Sequence, residues 1–302
     1  MRTSLLLLSL LLALSVRSQD RITIARAAMG TPWSITVVAT DTLQARRAID
    51  SAYARIENIE QLMSDYRNDS EINRLVRQPP RRWHRVSADL HRVLTFSRRL
   101  ARITDGAFDP TIGPLTKLWR RAFRQQRLPD PTSIIRARSR VQWKWVRLRR
   151  AGRVRLARAD MQLDLGGVAK GYALDAAGAV LEDAGLSVYL IDGGGDLLLG
   201  DPPRSQTGWQ VLTPSGVVDT SRVAIATSGA RFRYLEQDGR RYSHIIDPRT
   251  GYGLQDPRAV TVIASDGMSA DGLASALSVL GPEGAAGLKR AFPPMVSYWS
   301  PE

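Results

Sequence analysis

The strongest constraint on how this chain folds is that its alternating apolar runs come in pairs, each pair joined by a few turn-forming residues. RITIARA (21–27) and SITVVAT (34–40) flank Met29, Gly30, Thr31 and Pro32, and WVRLRRAGRVRL (145–156) alternates about Ala151 and Gly152. A similar pair spans residues 234–246 around Asp238 and Gly239. Period-two alternation broken by Gly-containing turns reads as β-hairpins, and strands joined this closely run antiparallel. Further strands are expected over 187–191, 209–218, 223–227 and 259–264.

Helical periodicity lies between them. Asp41 precedes a pattern of Ile49, Tyr53, Ile56, Ile59 and Met63, and a second begins near Ser87 with Leu90, Val93, Leu94 and Ile103. Two more run from Lys170 to a stop at Gly185 and from about Ser269 to Leu280, with a short helix after Gly281. The stretch GAFDPTIGPL (106–115) reads as a turn-rich apolar loop that packs. Mixed helices and hairpins predict an α+β fold of mixed or antiparallel sheets with packed helices, not a doubly wound parallel sheet. Neither repeats nor long linkers interrupt the chain, which is long enough for one large domain or two intimate lobes.

The N-terminus predicts a secretory leader over residues 1–18, with residues 19–302 as the mature chain. Arg2 supplies positive charge, LLLLSLLLALSV (5–16) is apolar but too short to span a bilayer comfortably, and Val16 and Ser18 suit a cleavage site. The expected location is the periplasm or the outer face of the cytoplasmic membrane. With no cysteine, the sequence excludes disulfides, thiolate metal sites, a cysteine nucleophile and a lipid-bearing lipobox. The net charge is +14, and arginine dominates: Lys117, Lys144, Lys170 and Lys289 are the only lysines. The arginines are scattered and not gathered in unbroken basic runs, and no nucleic-acid-reading motif is present, so nucleic acid is not an expected partner.

Three motifs carry candidate chemistry. DLGGVAKGY (164–172) puts glycines ahead of a helix whose first turn holds Lys170, an arrangement suited to phosphate. It is not a P-loop, because Gly171 stands where the magnesium-binding hydroxyl belongs. Asp164 would repel phosphate and suits a ligand donor instead. In ADGLAS (270–275), Asp271 and Ser275 are four apart and share a helix face, a hard-oxygen partial shell suited to Mg²⁺. In YSHIIDPRTG (242–251), His244 sits among polar turn residues and can serve as a general base, whereas His84 and His91 have no such company. Each motif also has a plain structural reading, as a helix cap, an ordinary helix start and a hydrogen-bonded turn histidine. Met29 and Tyr66 can wall a flat ring or simply pack.

The order of these blocks resembles the ApbE family of FAD:protein FMN transferases. The resemblance runs from Met29-Gly30-Thr31 through MSDYRNDSEINRL, GAFDPTIGPLTKLW, DLGGVAKGYALD, YLIDGGGDLLLG, IATSG, HIIDPRTGYG and ADGLASALSVLG, covering nearly all of the mature chain. It implies a T-fold-like α+β architecture of two intimate lobes with FAD as substrate between them. By matching position, Met29, Tyr66, Ala107, Phe108, Asp109, Asp164, Lys170 and Ile245 would contact FAD. Mg²⁺ would take the carbonyl of Gly167, the carboxylate of Asp271 and the hydroxyl of Ser275.

The chain departs from the family pattern at Ala274, where some members supply a second carboxylate, at Ser275 for threonine, and at Ala230 and Val76. The implied reaction moves FMN from FAD to a Thr or Ser hydroxyl of an acceptor protein, a subunit of a membrane redox complex, and releases AMP. We assign His244 as the base for that hydroxyl. FAD pyrophosphatase activity, with water in place of the protein hydroxyl, and non-catalytic periplasmic flavin binding are the other readings.

Overall fold

The computed structural model describes residues 19–214, 216–229, 234–237 and 239–300. The expected leader, Ala230 and the turn residue Asp238 lie outside the described residues.

Strands β1 (Asp20–Ala28) and β2 (Thr31–Ala39) pair antiparallel across Met29 and Gly30, which both take positive φ. Asp41 then caps α1 (Thr42–Met63) by accepting the amides of Leu43 and Gln44, and this helix buries Ile49, Ile56 and Ile59. The short α2 (Glu71–Val76) and β3 (His84–Arg85) lead to α3 (Ala88–Ile103), capped by Ser87. Two helices come next, α4 (Gly113–Gln125) and α5 (Pro131–Arg138). Strands β4 (Val146–Arg149) and β5 (Arg153–Leu156) form the hairpin about Ala151 and Gly152, and β5 also pairs with β3.

The second half begins with α6 (Ala169–Asp183), β6 (Tyr189–Gly193) and β7 (Leu197–Leu199). A hairpin of β8 (Trp209–Thr213) and β9 (Gly216–Thr220) precedes β10 (Ala224–Gly229). Strands β11 (Tyr234–Gln237) and β12 (Arg240–Ser243) pair next, before β13 (Ala259–Ala264), α7 (Gly267–Leu280), α8 (Ala285–Ala291) and β14 (Met295–Trp299).

Seven strands form the central sheet in the order β1-β2-β6-β7-β10-β13-β14, and every neighbouring pair is antiparallel. The fold is therefore α+β with antiparallel sheets. Helices α1, α6 and α7 pack together, and their side chains join Trp33, Ile35, Val37, Val260 and Val262 of the sheet in the main core. The β8–β9 hairpin helps form a second cluster around Leu199, Trp209, Val211 and Ile225. A third, built on Leu115, Trp119 and Ala122 of α4 with Tyr242 and Ile246, stands apart from the main core.

The loop expected over 106–115 ends three residues early. Gly113 and Pro114 open α4, since proline fits the first turn of a helix, where its missing N–H costs nothing. The buried Leu115, Trp119 and Ala122 then come at helical spacing.

Two close approaches fix where α7 sits on α6. The helices meet glycine to glycine: a Cβ on Gly171 would fall 2.0 Å from the Gly267 carbonyl oxygen, and one on Gly267 would fall 2.4 Å from that of Gly171. Beside this contact, the Asp175 carboxylate of α6 accepts the amides of Gly267 (2.5 Å) and Met268 (2.9 Å), clamping the start of α7. The register of α7 against α6 is thereby set one turn before Asp271.

Candidate active site

A cleft of about 350 Å³ opens between the start of α6, the face of α7, the 106–112 loop, α4 and the segment after β12. Tyr66, Ala107, Phe108, Asp109, Asp164 and Lys170 all line it, and so do His244 and Ile245. Gly167, Asp271 and Ser275 complete the set, so eleven of the twelve residues singled out in the sequence share one cavity. Met29 is placed elsewhere: it occupies the β1–β2 turn, packs against the main core, and donates its amide to Glu60 Oε2 at 3.0 Å.

The deepest wall is electrostatic. Lys170 Nζ donates to Asp196 Oδ2 at 2.5 Å, and Asp196 Oδ1 accepts the amide of Thr227 at 3.2 Å. Burial alone would depress the lysine, but Asp196 and then Asp271 outweigh it and raise its pKa, so Lys170 remains a cation. Asp271 is 7% exposed, and its Oδ2 accepts the Gly171 amide at 3.0 Å. Its carboxyl is pushed up to about 7, first by burial and then by Asp196, with Lys170 and the Gly171 amide opposing.

These residues fit a hard divalent cation. A Cβ on Gly167 would come 2.7 Å from Ser275 Oγ, so the loop backbone meets the helix hydroxyl with no side chain between them. The buried Asp271 carboxylate lies on the same helix one turn earlier, and a nearby cation relieves the cost of keeping it ionised. No cluster of three or more His, Cys, Asp or Glu suited to a metal occurs among the described residues. A cation here would rely on one carboxylate and neutral oxygens, leaving positions for water and substrate phosphate, as Mg²⁺ prefers.

The outer wall is cationic and aromatic. Arg120 of α4 pairs with Asp65 and with Asp164 Oδ2 (3.0 Å), and its guanidinium lies 4.0 Å from the Tyr66 ring centroid. Burial lowers the Arg120 pKa, but the bond to Asp65 and the charge of Asp164 reverse this and leave it raised. Asp65 is itself raised, by burial and by Asp164, against the pull of Arg120. Asp164 also accepts the Gly166 amide at 2.8 Å, which fixes the first glycine of the loop.

Beside Asp164, on the loop whose Pro110 carbonyl accepts the Asp164 amide at 2.9 Å, Asp109 is buried and pushed up to about 6 by burial despite hydrogen bonds from Thr111 and the Trp143 amide. His244 is exposed on the rim just after β12. Its segment is held from below: Trp119 Nε1 donates to the Gly251 carbonyl at 2.8 Å, and the Trp119 and Tyr242 rings lie 5.9 Å apart.

Sequence reasoning missed Arg120 and Asp196. The DGGGD turn (192–196) was visible, but Asp196 meets Lys170 only because β6 and β7 bring it back over α6. Arg120 lies one residue past Trp119 on a helix read as loop at its start, and helical spacing there would have placed it beside the apolar face.

Fold and cleft together are those of an α+β enzyme. The model of the ApbE family matches residues 29–298, and the chain belongs to the ApbE family. It is 33% identical over 270 residues to an FAD:protein FMN transferase of Klebsiella pneumoniae (strain 342), covering 84% of this chain and 77% of that protein. A Treponema pallidum (strain Nichols) protein of the same name is 34% identical over 271 residues, covering 82% and 75%. The apo crystal structure of Pseudomonas stutzeri flavinyl transferase ApbE superposes with a TM-score of 0.82 at 28% identity, over 95% of this chain and 93% of that one. These relatives are transferases, and so is this chain.

Proposed function

We propose that this protein transfers the FMN half of FAD to a Ser or Thr hydroxyl of an acceptor protein, releases AMP, requires Mg²⁺ and acts after export. The observation that carries the reading is the convergence on one cleft of a paired lysine, an oxygen trio and a rim histidine. The acceptor is a protein at the membrane face, a redox-complex subunit, consistent with the expected leader.

In this scheme the acceptor oxygen forms a bond to the FMN-side phosphorus, and the bond from that phosphorus to the bridging oxygen breaks. AMP departs with the bridging oxygen, and the hydroxyl proton passes to the His244 imidazole. Lys170, held cationic by Asp196, balances the charge of the pyrophosphate. Phe108 and Tyr66 offer ring faces to the isoalloxazine, while Asp109 and Asp164 offer carboxylates to hydrogen-bond donors of FAD. Gly167, Asp271 and Ser275 would hold Mg²⁺, which when bound neutralises charge on the phosphoryl oxygens. The exposed rim position of His244 suits a nucleophile that arrives on another protein.

The test is to incubate the purified chain with FAD, Mg²⁺ and an acceptor domain. Flavin fluorescence retained by the acceptor in a denaturing gel, with AMP released in equal amount, is the expected result. Free FMN with an unlabelled acceptor would instead establish a pyrophosphatase, and intact FAD a binding protein.

A further inference from the structure

The strongest electrostatic feature of the chain lies outside the cleft. Residues 74–158 hold 24 of the 43 lysines and arginines but only four of the 29 acids, so this stretch carries a formal +20 and the remainder −6. A general preference for arginine would charge both parts alike. In the fold, the stretch includes α3, α4, α5 and the small sheet of β3, β5 and β4.

Strand register gathers five of these charges on one surface. Arg153 of β5 lies opposite Arg85 of β3 and Arg149 of β4, and Arg155 lies opposite Arg147. Paired residues, and residues two apart on one strand, share a face of the sheet. The other face carries Val146, Val154 and Leu156, all buried in the main core.

None of the five arginines joins an ion pair among the described residues. Trp83 lies among them, its ring 4.4 Å from the Arg149 guanidinium and 4.8 Å from that of Arg155. On the flank, burial and then the charges of Arg147 and Arg102 hold the Arg98 guanidinium below its usual range. Like charges directly opposite one another oppose folding, so this face forms against its own repulsion.

We propose that this arginine face docks the protein onto an anionic phospholipid bilayer. A sheet face spreads its guanidiniums in two dimensions, with strands about 4.8 Å apart, and so fits a plane of headgroup phosphates better than the phosphate line of a nucleic-acid groove. Guanidinium forks match phosphate oxygens, indole belongs at the headgroup level, and clustered basic residues bind anionic leaflets. The face is also tied to the cleft: Asp109, which lines the cleft, accepts the Trp143 amide at 2.9 Å just before β4. Docking therefore fixes how the cleft sits relative to the membrane.

The test is flotation of the full chain with vesicles of about one-third phosphatidylglycerol in phosphatidylcholine, against vesicles of phosphatidylcholine alone. The wild type floats with the first only and is released by about 0.5 M salt. R147Q/R149Q/R153Q loses on the order of 100-fold in vesicle affinity. The charge-matched control R121Q/R124Q/R127Q, on and just after α4, loses less than about fivefold.

Both triple variants keep FAD turnover with a soluble acceptor, and the first melts no lower than wild type. If the first triple fails to fold, R85Q/R153Q replaces it, with a loss on the order of tenfold. Equal losses in the face and control variants would reduce the effect to net charge and overturn the proposal. It is also overturned if the wild type ignores anionic vesicles, whether or not the face retains an oligonucleotide or polyglutamate instead.

Discussion

On one side of the cleft, α6 and α7 touch backbone to backbone, and the side chains that matter, Lys170, Asp271 and Ser275, project from helices whose register is set by Gly171, Gly267 and the Asp175 clamp. On the other side, His244 and Ile245 sit on a turn that leans on the aromatic cluster of Trp119, Tyr242 and Tyr252. The inner wall is buried and short of adjustable atoms, whereas the outer wall is half open. In the proposed reaction, the groups that would hold charges in fixed places lie where the fold cannot give, and those that would meet a second protein lie where it can. A change on the outer wall should therefore alter chemistry without altering stability, and one on the inner wall should alter both.

His244→Ala makes the first part of that contrast sharpest. Removing a general base costs about 10²–10⁴-fold in transfer rate. Because the side chain is exposed, the melting temperature and the affinity for FAD should stay at wild-type values. Single-turnover labelling of an acceptor checks the rate and calorimetry the stability. Unchanged labelling would remove His244 from the mechanism.

Gly171→Ala tests the inner wall. The added Cβ meets the Gly267 oxygen at 2.0 Å and Asp271 Cβ at 2.8 Å, so α6 and α7 must part. Overpacking of this kind costs about 1–3 kcal/mol or more, and here it also displaces the Asp271 carboxylate. We expect lower stability together with a raised Mg²⁺ requirement. Gly287→Ala, whose Cβ would meet nothing within 4 Å, is the control that changes neither. A Gly171→Ala variant with wild-type melting and metal titration would show that the two walls do not differ in this way.

Titration sharpens the contrast more finely. Burial pushes Asp175 up to about 7, against the hydrogen bonds of the Met268 and Gly267 amides, so the folded chain holds a proton that an ordinary unfolded aspartate has released. Stability from this proton is complete below about pH 4 and is lost as pH rises through about 7. Without Mg²⁺ the melting temperature should therefore fall between pH 5 and pH 8, with Asp175 contributing roughly 1–3 kcal/mol of the lost stability. Asp175→Asn should remove this residue's share of the slope and leave those of Asp271 and Asp109, while lowering stability at pH 5, because its NH2 cannot accept from one of the two amides. At pH 8, Mg²⁺ at about 100 times its Kd should restore about 2.7 kcal/mol to the wild type and nothing to Asp271→Asn.

Legibility in the sequence divides along the same line. The hairpins and capped helices were legible because their signals are local: Asp41 and Ser87 begin helices, and Ala151 and Gly152 turn a hairpin. Asp271 and Ser275 were legible because four residues of helix put them on one face. The opening of α4 was hidden, since Gly113 and Pro114 punctuate a sequence whether they end a segment or begin one. The pairings that tune the cleft were hidden for a different reason. Lys170 with Asp196 and Arg120 with Asp65 and Asp164 join residues 26, 55 and 44 positions apart, and only the packed fold brings them together.

The smallest expected effect lies at the mouth of the cleft. Tyr66 is 70% exposed, and its ring is held by Arg120, itself fixed by Asp65 and Asp164. An exposed cation–π contact is worth about 0.5–1 kcal/mol, so Tyr66→Ala should lower stability by no more than that. If the ring stacks on the flavin, its loss should raise the KM for FAD several-fold and leave kcat intact, because uniform binding is removed and no transition-state contact is lost. Tyr66→Phe keeps the ring and should restore the KM, whereas a role resting on the phenol hydroxyl would leave Phe as defective as Ala. A fall in kcat in Tyr66→Ala would move this residue from the binding surface of the outer wall into the chemistry, and the division between the two walls would then have to be redrawn around Arg120.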